Sequence, residues 1–452
     1  MVESTHKNDA VDVTTVIDTA PIGWFIISIV ILCSAVALLD GFDTLAISYV
    51  APVIAGAWKL PKEAFGPIFS AHYIGAAIGA AAFGMLADRW GRRPVIIWST
   101  TLFGAGALMT MLTYDFSSLL IVRLLTGIGL GGALSTVIAL VAEYAPARHR
   151  ATLVSVMYAA FPLGGVVGGP LAAYLIPNFG WQAVFLIGGI APVVLALVLV
   201  VALPESLRFL VLRRADPDRV KAIAVRLTPT ATGHFAAPKS EEAAAGLLRQ
   251  LFSRDYSWLT VLLSFAAFIT QLIIVFVITW MPTLLTSAGL PLSQAILAAA
   301  TFSLGGIIGS LLLARLIDQQ NSYGSLIAAY LAAALAVGAI GFSTASAGWL
   351  LAAVCLAGVT IVGAQVNLSA YSAAIYPTAI RSTGIGWVTG VGRLGAIAGA
   401  LLGTALLAAG LELHTQYLIA GAPAVLAGAA VALTRGRRLS GLVLVREPEV
   451  AS

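Results

Sequence analysis

Gly84-Met85-Leu86-Ala87-Asp88-Arg89-Trp90-Gly91-Arg92-Arg93 closes one long apolar stretch of the chain and opens another. The flanking stretches, residues 65–87 and 94–113, are each long enough to cross a hydrocarbon core of about 30 Å as a helix. Asp88, Arg89, Arg92 and Arg93 cannot rest in lipid, so the segment reads as a tight loop at a membrane face. Outward from it the pattern recurs, over residues 24–49, 116–141, 151–175, 182–203, 257–285, 293–316, 322–343, 349–374, 382–408 and 414–433. Together these give about twelve spanning helices. Of the 452 residues, 60% are hydrophobic and only 10% charged. A soluble domain carries roughly 25% charged residues, so the chain is read as an all-α polytopic membrane protein. Barrel strands would be about ten residues long and alternate in polarity, and these stretches do neither.

Basic residues set the expected topology. Arg89, Arg92, Arg93, Arg148, Arg150, the many arginines of 204–256, Arg315, Arg381 and Arg435 all fall on one side. Lys59 and Lys62 fall on the other. With an even number of spans, both termini are expected on the cytoplasmic side of the inner membrane. The formal net charge of +5 is then a topology signal, and nucleic-acid binding is not its explanation. The expected organisation is a cytoplasmic arm (1–20), a six-helix bundle (21–203), a basic cytoplasmic loop (204–256), a second six-helix bundle (257–434) and a cytoplasmic tail (435–452). The arm is polar, has no apolar core of a signal peptide and is expected to be disordered. No metal, cofactor or enzymatic chemistry is expected: the spans show neither a His/Glu cluster nor a Ser-His pattern. A monomer is expected.

Two halves are also suggested by a weak repeat. Leu312-Leu313-Ala314-Arg315-Leu316-Ile317-Asp318 ends the eighth span as Asp88 ends the second. Small residues that let helices approach closely recur at Gly127, Gly129, Gly131 and Gly132, and in the run Gly164, Gly165, Gly168, Gly169. Pro170 after that run is expected to mark a flexible bend.

The chemistry points to Leu39-Asp40-Gly41-Phe42-Asp43-Thr44-Leu45 in the first span. Carboxylates at membrane depth are costly, and a spacing of three puts both on one helix face. Two neighbouring carboxylates repel, which favours taking up and releasing a proton. Arg123 lies about seven residues into the fourth span, roughly 10 Å deep, where it is expected to pair with an aspartate. Arg393 sits near the middle of the eleventh span, where an anionic ligand would satisfy it.

The segment 84–93 resembles the loop motif G-x-L-A-D-R-x-G-R-R/K of the major facilitator superfamily, and the resemblance covers essentially the whole chain. Within it, Asp40-Gly41-Phe42-Asp43 and Tyr376-Pro377-Thr378-Ala379-Ile380-Arg381-Ser382-Thr383-Gly384 resemble the aromatic acid:proton symporters, permeases for 4-hydroxybenzoate, protocatechuate and benzoate. Pro204-Glu205-Ser206-Leu207-Arg208-Phe209-Leu210 resembles an element shared with sugar porters. The resemblance implies two six-helix halves, alternating access, and proton-coupled uptake of a small aromatic carboxylate. It assigns proton coupling to Asp40 and Asp43. In such a fold the first, fourth, seventh and tenth helices line the cavity. Candidate substrate contacts are therefore Arg123, Arg393, Tyr49, Gln271, Trp280, Gln365, Asn367 and Tyr371, with His72 and Tyr73 from the second helix. Gly84, Asp88, Gly91, Arg92, Glu143, Asp318 and Arg381 are the implied gating residues, with Arg92 expected to pair with Glu143. Asp318 is followed by Gln319 where Asp88 is followed by Arg89, so the second loop is expected to hold less tightly. Three alternatives stay open: a porter for another organic anion or a sugar, a drug:proton antiporter, and a membrane sensor of aromatic acids.

Overall fold

The computed structural model describes residues 11–213, 215–228, 235–236, 249–317, 322–377 and 380–434. A short helix α1 (Val13–Thr19) precedes the long helices α2 (Trp24–Ala57), α3 (Phe65–Trp90), α4 (Arg92–Thr110) and α5 (Phe116–Tyr144). Then follow α6 (Arg150–Tyr158), α7 (Ala160–Phe179), α8 (Gln182–Ala202), α9 (Leu207–Leu212) and α10 (Pro217–Leu227). The second set comprises α11 (Ser257–Ser287), α12 (Leu292–Ile317), α13 (Ser322–Ile340), α14 (Ala347–Ile375), α15 (Arg381–Ala408), α16 (Leu413–Gly421) and α17 (Pro423–Leu433). Among the described residues, 11 helical segments are long and apolar enough to cross a membrane. The stretch expected as a twelfth is α4, whose 19 residues begin with Arg92 and Arg93, which leaves less uninterrupted apolar length.

Local chemistry accounts for the breaks. Pro162 has no N–H to give the carbonyl of Tyr158, and the helix is interrupted at Ala159, between α6 and α7. α7 runs on as helix through Pro170, and the break lies about three turns earlier. Pro423 interrupts the last span in the same way at Ala422. At the start of α5, Asp115 accepts from the Ser118 N–H at 2.8 Å, and the Asp115 N–H reaches back to the Ser118 hydroxyl. Hydrogen bonding from the Ser118 hydroxyl and then from its N–H holds the exposed Asp115 carboxyl below the usual carboxylate range. Between α3 and α4, Gly91 takes φ +105°, and a Cβ there would stand 2.2 Å from Glu205 Oε2. The positive φ demands glycine.

The described chain divides into two compact units, Met1–Leu60 with Pro67–Glu241, and Pro61–Gly66 with Glu242–Ser452. In the first, α2 packs on α7 and α4 on α5 and α8; in the second, α12 packs on α14 and α11 on α15. Glycine contacts reveal the same register in both. Cβ atoms on Gly75 and Gly79 of α3 would stand 2.2 and 2.0 Å from the carbonyls of Leu124 and Ile128; those on Gly305 and Gly309 of α12 would stand 2.3 and 2.1 Å from those of Cys355 and Val359. Gly164 of α7 meets the Leu38 carbonyl as Gly395 of α15 meets that of Phe268. One offset of 230 residues relates α2 and α3 to α11 and α12, and one of 231 relates α5 and α7 to α14 and α15. The units are therefore structural repeats.

The expectation of a disordered arm is corrected for residues 11–20. α1 buries Val13, Val16 and Ile17 in the apolar cluster of the first unit, because these three share one helical face. Asp18 accepts from the Ala147 N–H at 2.8 Å and lies 3.7 Å from Arg150. The Thr228 hydroxyl donates to the Val16 carbonyl, and Val11–Asp12 pairs in parallel with Phe235–Ala236.

Candidate functional site

Asp43 and Arg123 are both completely buried, and Arg123 Nη1 donates to Asp43 Oδ2 at 3.2 Å. The helix contact beneath them explains why the pair can form. Gly41 lies against α7, where a Cβ would come within 1.8 Å of the Phe161 carbonyl oxygen, so α2 is seated tightly with its Asp43 face turned to α5. Arg123 is held from several directions. Its Nη2 donates to Thr126 Oγ1 at 3.3 Å and to Thr110 Oγ1, and the guanidinium carbon lies 5.0 Å from the centre of the Phe185 ring. Each threonine hydroxyl in turn donates to the carbonyl four residues back, so its lone pairs face the guanidinium. Even so, the pair is incompletely satisfied: Asp43 Oδ1 and Arg123 Nε have no hydrogen-bond partner among the described residues. A buried ion pair short of partners holds together weakly against a rival anion or an arriving proton.

Asp40, one turn earlier, is also buried and accepts from the Thr44 hydroxyl at 3.2 Å. Thr44 Oγ1 lies 3.4 Å from Nε2 of buried His72, and Tyr73 stands edge-on to that imidazole with ring centres 5.3 Å apart. The first unit thus gathers two carboxylates, a guanidinium and an imidazole around α2, α3 and α5.

Other candidate contacts lie elsewhere. Tyr49 donates to the Gly165 carbonyl at 3.1 Å, and Trp280 Nε1 to that of Ala400 at 2.9 Å, so both polar ends tie helices together. Tyr371 shares a 2.7 Å hydrogen bond with Thr434. Gln271 packs against Gly392, while Gln365 and Arg393 are half-buried on α14 and α15. Asn367 is buried with neither amide atom hydrogen-bonded among the described residues, an arrangement costly without a ligand or water.

At the basic rim, Arg92 pairs with Asp88 at 2.8 Å and with Glu143 at 2.9 Å. Arg381 Nε donates to the Tyr376 carbonyl, Gly84 has open space where a Cβ would be, and Asp318 lies outside the described residues. The residue that sequence reasoning missed here is Glu205. Its Oε1 accepts from the backbone N–H groups of Arg92 (2.8 Å), Arg93 (3.3 Å) and Ser206 (2.8 Å), capping the start of α4. An acidic residue just past the sixth span, amid a basic loop, was the available signal. Thr44, Thr110 and Thr126 were missed as well; Thr44 and Thr126 follow Asp40 and Arg123 by four and three residues, which places each pair on one helix face.

Residues 32–369 match the Major Facilitator Superfamily. The gallate transporter of Pseudomonas putida is 36% identical over 446 residues, covering 97% of this chain and 98% of that protein. The 4-hydroxybenzoate transporter PcaK of Pseudomonas aeruginosa is 36% identical over 429 residues (94% and 96%). The benzoate transport protein of Acinetobacter baylyi is 31% identical over 439 residues (95% and 94%). Among solved structures, the crystal structure of a D-xylose-proton symporter superposes with a TM-score of 0.71 at 19% identity, covering 90% of this chain and 97% of that one. At that identity the likeness speaks to the fold alone.

Proposed function

The chain belongs to the major facilitator superfamily, a family of transporters rather than enzymes, and on that premise we propose that it takes up a small aromatic carboxylate together with protons, by alternating access. The observation that carries the reading is the buried Asp43–Arg123 pair with Asp40 one turn away. Arg123 is the group that an anionic substrate seeks, and Asp43 is the group that must yield it. A proton arriving on Asp43 cancels the charge that holds Arg123 and frees the guanidinium for the substrate carboxylate. Loss of that proton on the other side re-forms the pair and expels the anion. Proton and monoanion therefore travel in the same direction, and a proton gradient drives accumulation.

The relatives support the substrate class: gallate, 4-hydroxybenzoate and benzoate are all benzene rings bearing one carboxylate. In the second unit, Asn367, whose amide can both donate and accept, has the chemistry to meet a ring hydroxyl. Asp88, Arg92 and Glu143, with Glu205, form a rim latch that loosens in the transport cycle. The arginine-rich side is cytoplasmic, both termini lie there, and the protein works in the inner membrane.

The test is uptake into proteoliposomes of labelled benzoate, 4-hydroxybenzoate, protocatechuate, gallate and a sugar. Accumulation of the aromatic acids under an inward proton gradient, abolished by protonophore, is the expected result. Gradient-independent sugar uptake would replace the reading with that of a sugar porter.

A further inference from the structure

Thr44 behaves differently from the threonines that bond within their own helix backbone. Thr110, Thr126, Thr270 and Thr279 each donate to the main-chain carbonyl four residues back. The Thr44 hydroxyl instead meets the carboxylate four residues back, Asp40 Oδ1, at 3.2 Å, and on its other side lies 3.4 Å from His72 Nε2. All three side chains are buried, and the far ring nitrogen, His72 Nδ1, has no hydrogen-bond partner among the described residues. The α3 backbone is pinned at this point, since a Cβ on Gly127 of α5 would stand 2.2 Å from the His72 carbonyl oxygen. Among the described residues, the charged and titratable groups near the ring are Asp40 on α2, reached through Thr44, Tyr73 on α3, and Arg123 on α5 with its partner Asp43.

A hydroxyl has one hydrogen, so the chain Asp40–Thr44–His72 has two self-consistent settings. With Asp40 charged, Thr44 donates to Asp40 and accepts from Nε2–H, which leaves Nδ1 a bare acceptor. With Asp40 protonated, the carboxyl donates to Thr44, Thr44 donates to Nε2, and the proton of the ring sits on Nδ1. We propose that Thr44 and His72 are a proton relay that loads and unloads Asp40, with His72 Nδ1 as its port. The proposal rests on the proton-coupled reading above and adds the route. One proton binds Nδ1; the Nε2–H bond breaks as its proton passes to Thr44 Oγ1; the Thr44 O–H bond breaks as its proton passes to Asp40. One proton has entered, Asp40 has become neutral, and the ring has exchanged tautomers with no net charge left on it. Running backwards, the same steps unload Asp40. Thr44 and His72 are thus positioning and relay groups for Asp40, a second proton site one turn from Asp43, and are distinct from Arg123, which meets the anion.

The repeat relation sharpens the assignment. The second-unit counterparts of Asp40, Thr44 and His72 are Thr270, Ile274 and Phe302, which have no titratable group among them. The packing of the fold therefore does not need these polar side chains, and their presence in one unit calls for a functional cause.

The experiment compares Thr44→Val, Thr44→Ser and His72→Phe with wild type in proteoliposomes. It measures gradient-driven accumulation of 4-hydroxybenzoate against its counterflow exchange at equal pH. The expected result is accumulation slowed at least about tenfold in Thr44→Val and His72→Phe, counterflow within about twofold of wild type in Thr44→Val, and recovery in Thr44→Ser. Equal loss of both activities, or of neither, overturns the relay. A second readout needs no transport: in protein carrying 15N-labelled histidine, with His72 assigned by His72→Phe, the ring is expected to switch from the Nε2–H to the Nδ1–H tautomer as pH falls. The switch is expected to vanish in Asp40→Asn. A ring that keeps one tautomer throughout overturns the relay even where uptake is proton-driven. A switching ring in a protein that accumulates no aromatic acid upholds the relay and overturns the substrate reading.

Discussion

The two units solve the packing problem identically and the charge problem in opposite ways. In each, one helix pair is locked by glycines against carbonyls (α3 on α5, α12 on α14), and a second pair crosses at Gly164 or Gly395. Yet the positions that hold Asp43 and Arg123 in the first unit hold Ile273 and Val354 in the second, both fully buried. The glycine register therefore belongs to the architecture. The ion pair does not, because the same register closes equally well around two aliphatic side chains. Carrying a charge pair where an apolar pair suffices is a cost without structural return, which is the signature expected of a functional site.

The sharpest way to break the comparison is to make the first unit like the second. Arg123→Val alone strands the Asp43 carboxylate and is expected to abolish uptake and to destabilise the protein by about 3–5 kcal/mol. Asp43→Ile with Arg123→Val, the pair found in the second unit, is expected to regain wild-type thermal stability or better, still with no uptake. A double variant as unstable as the single one would show that the ion pair is structural after all. Next in size is Asp40→Asn, expected to remove gradient-driven accumulation while counterflow persists; loss of both would assign Asp40 to substrate binding.

Smaller effects test the shared side of the comparison. Gly79→Ala and Gly309→Ala, at repeat-related positions, place a methyl group 2.0 and 2.1 Å from a facing carbonyl oxygen. Each is expected to cost about 1–3 kcal/mol, by similar amounts in the two units, in thermal unfolding. A large difference would mean that the repeats are not energetically equivalent. Glu205→Ala frees the N–H groups of Arg92 and Arg93 at the start of α4 and that of Ser206, and is expected to cost about 1–3 kcal/mol with proton coupling intact.

Much of this could be read from residue order, and the exceptions have physical reasons. Apolar length located the spans because a bilayer imposes a minimum on it, and α4 escaped a strict hydropathy count only because Arg92 and Arg93 fall inside its first turn. The Asp43–Arg123 pairing could be anticipated from depth alone, since α2 and α5 run in opposite directions. The break at Ala159 could not, because attention falls on Pro170 among its glycines; a proline in a spanning helix is absorbed where neighbours satisfy the freed carbonyl, and nothing local says which proline that will be. The Asp40–Thr44 step was readable as an i, i+4 pair, whereas His72 came to it through a tertiary contact between α2 and α3. Glu205 belongs to the same class, lying 113 residues from the N–H of Arg92 that it caps.

α1 is seven residues long, too short to persist as a helix by itself, and what orders it comes from far along the chain. The bond from Thr228 to the Val16 carbonyl spans 212 residues. At a ribosomal pace of about 5–20 residues per second, α1 waits roughly 10–40 s for its last partner to be made. α1 is thus among the last parts of its unit to fold. Docking of α1, with Asp18 clasping the Ala147 N–H, therefore reports that six spans have been inserted in the right order. A bulky, autonomously folding fusion ahead of residue 11 would interfere with that final step of biogenesis, leaving the earlier insertion of the spans untouched.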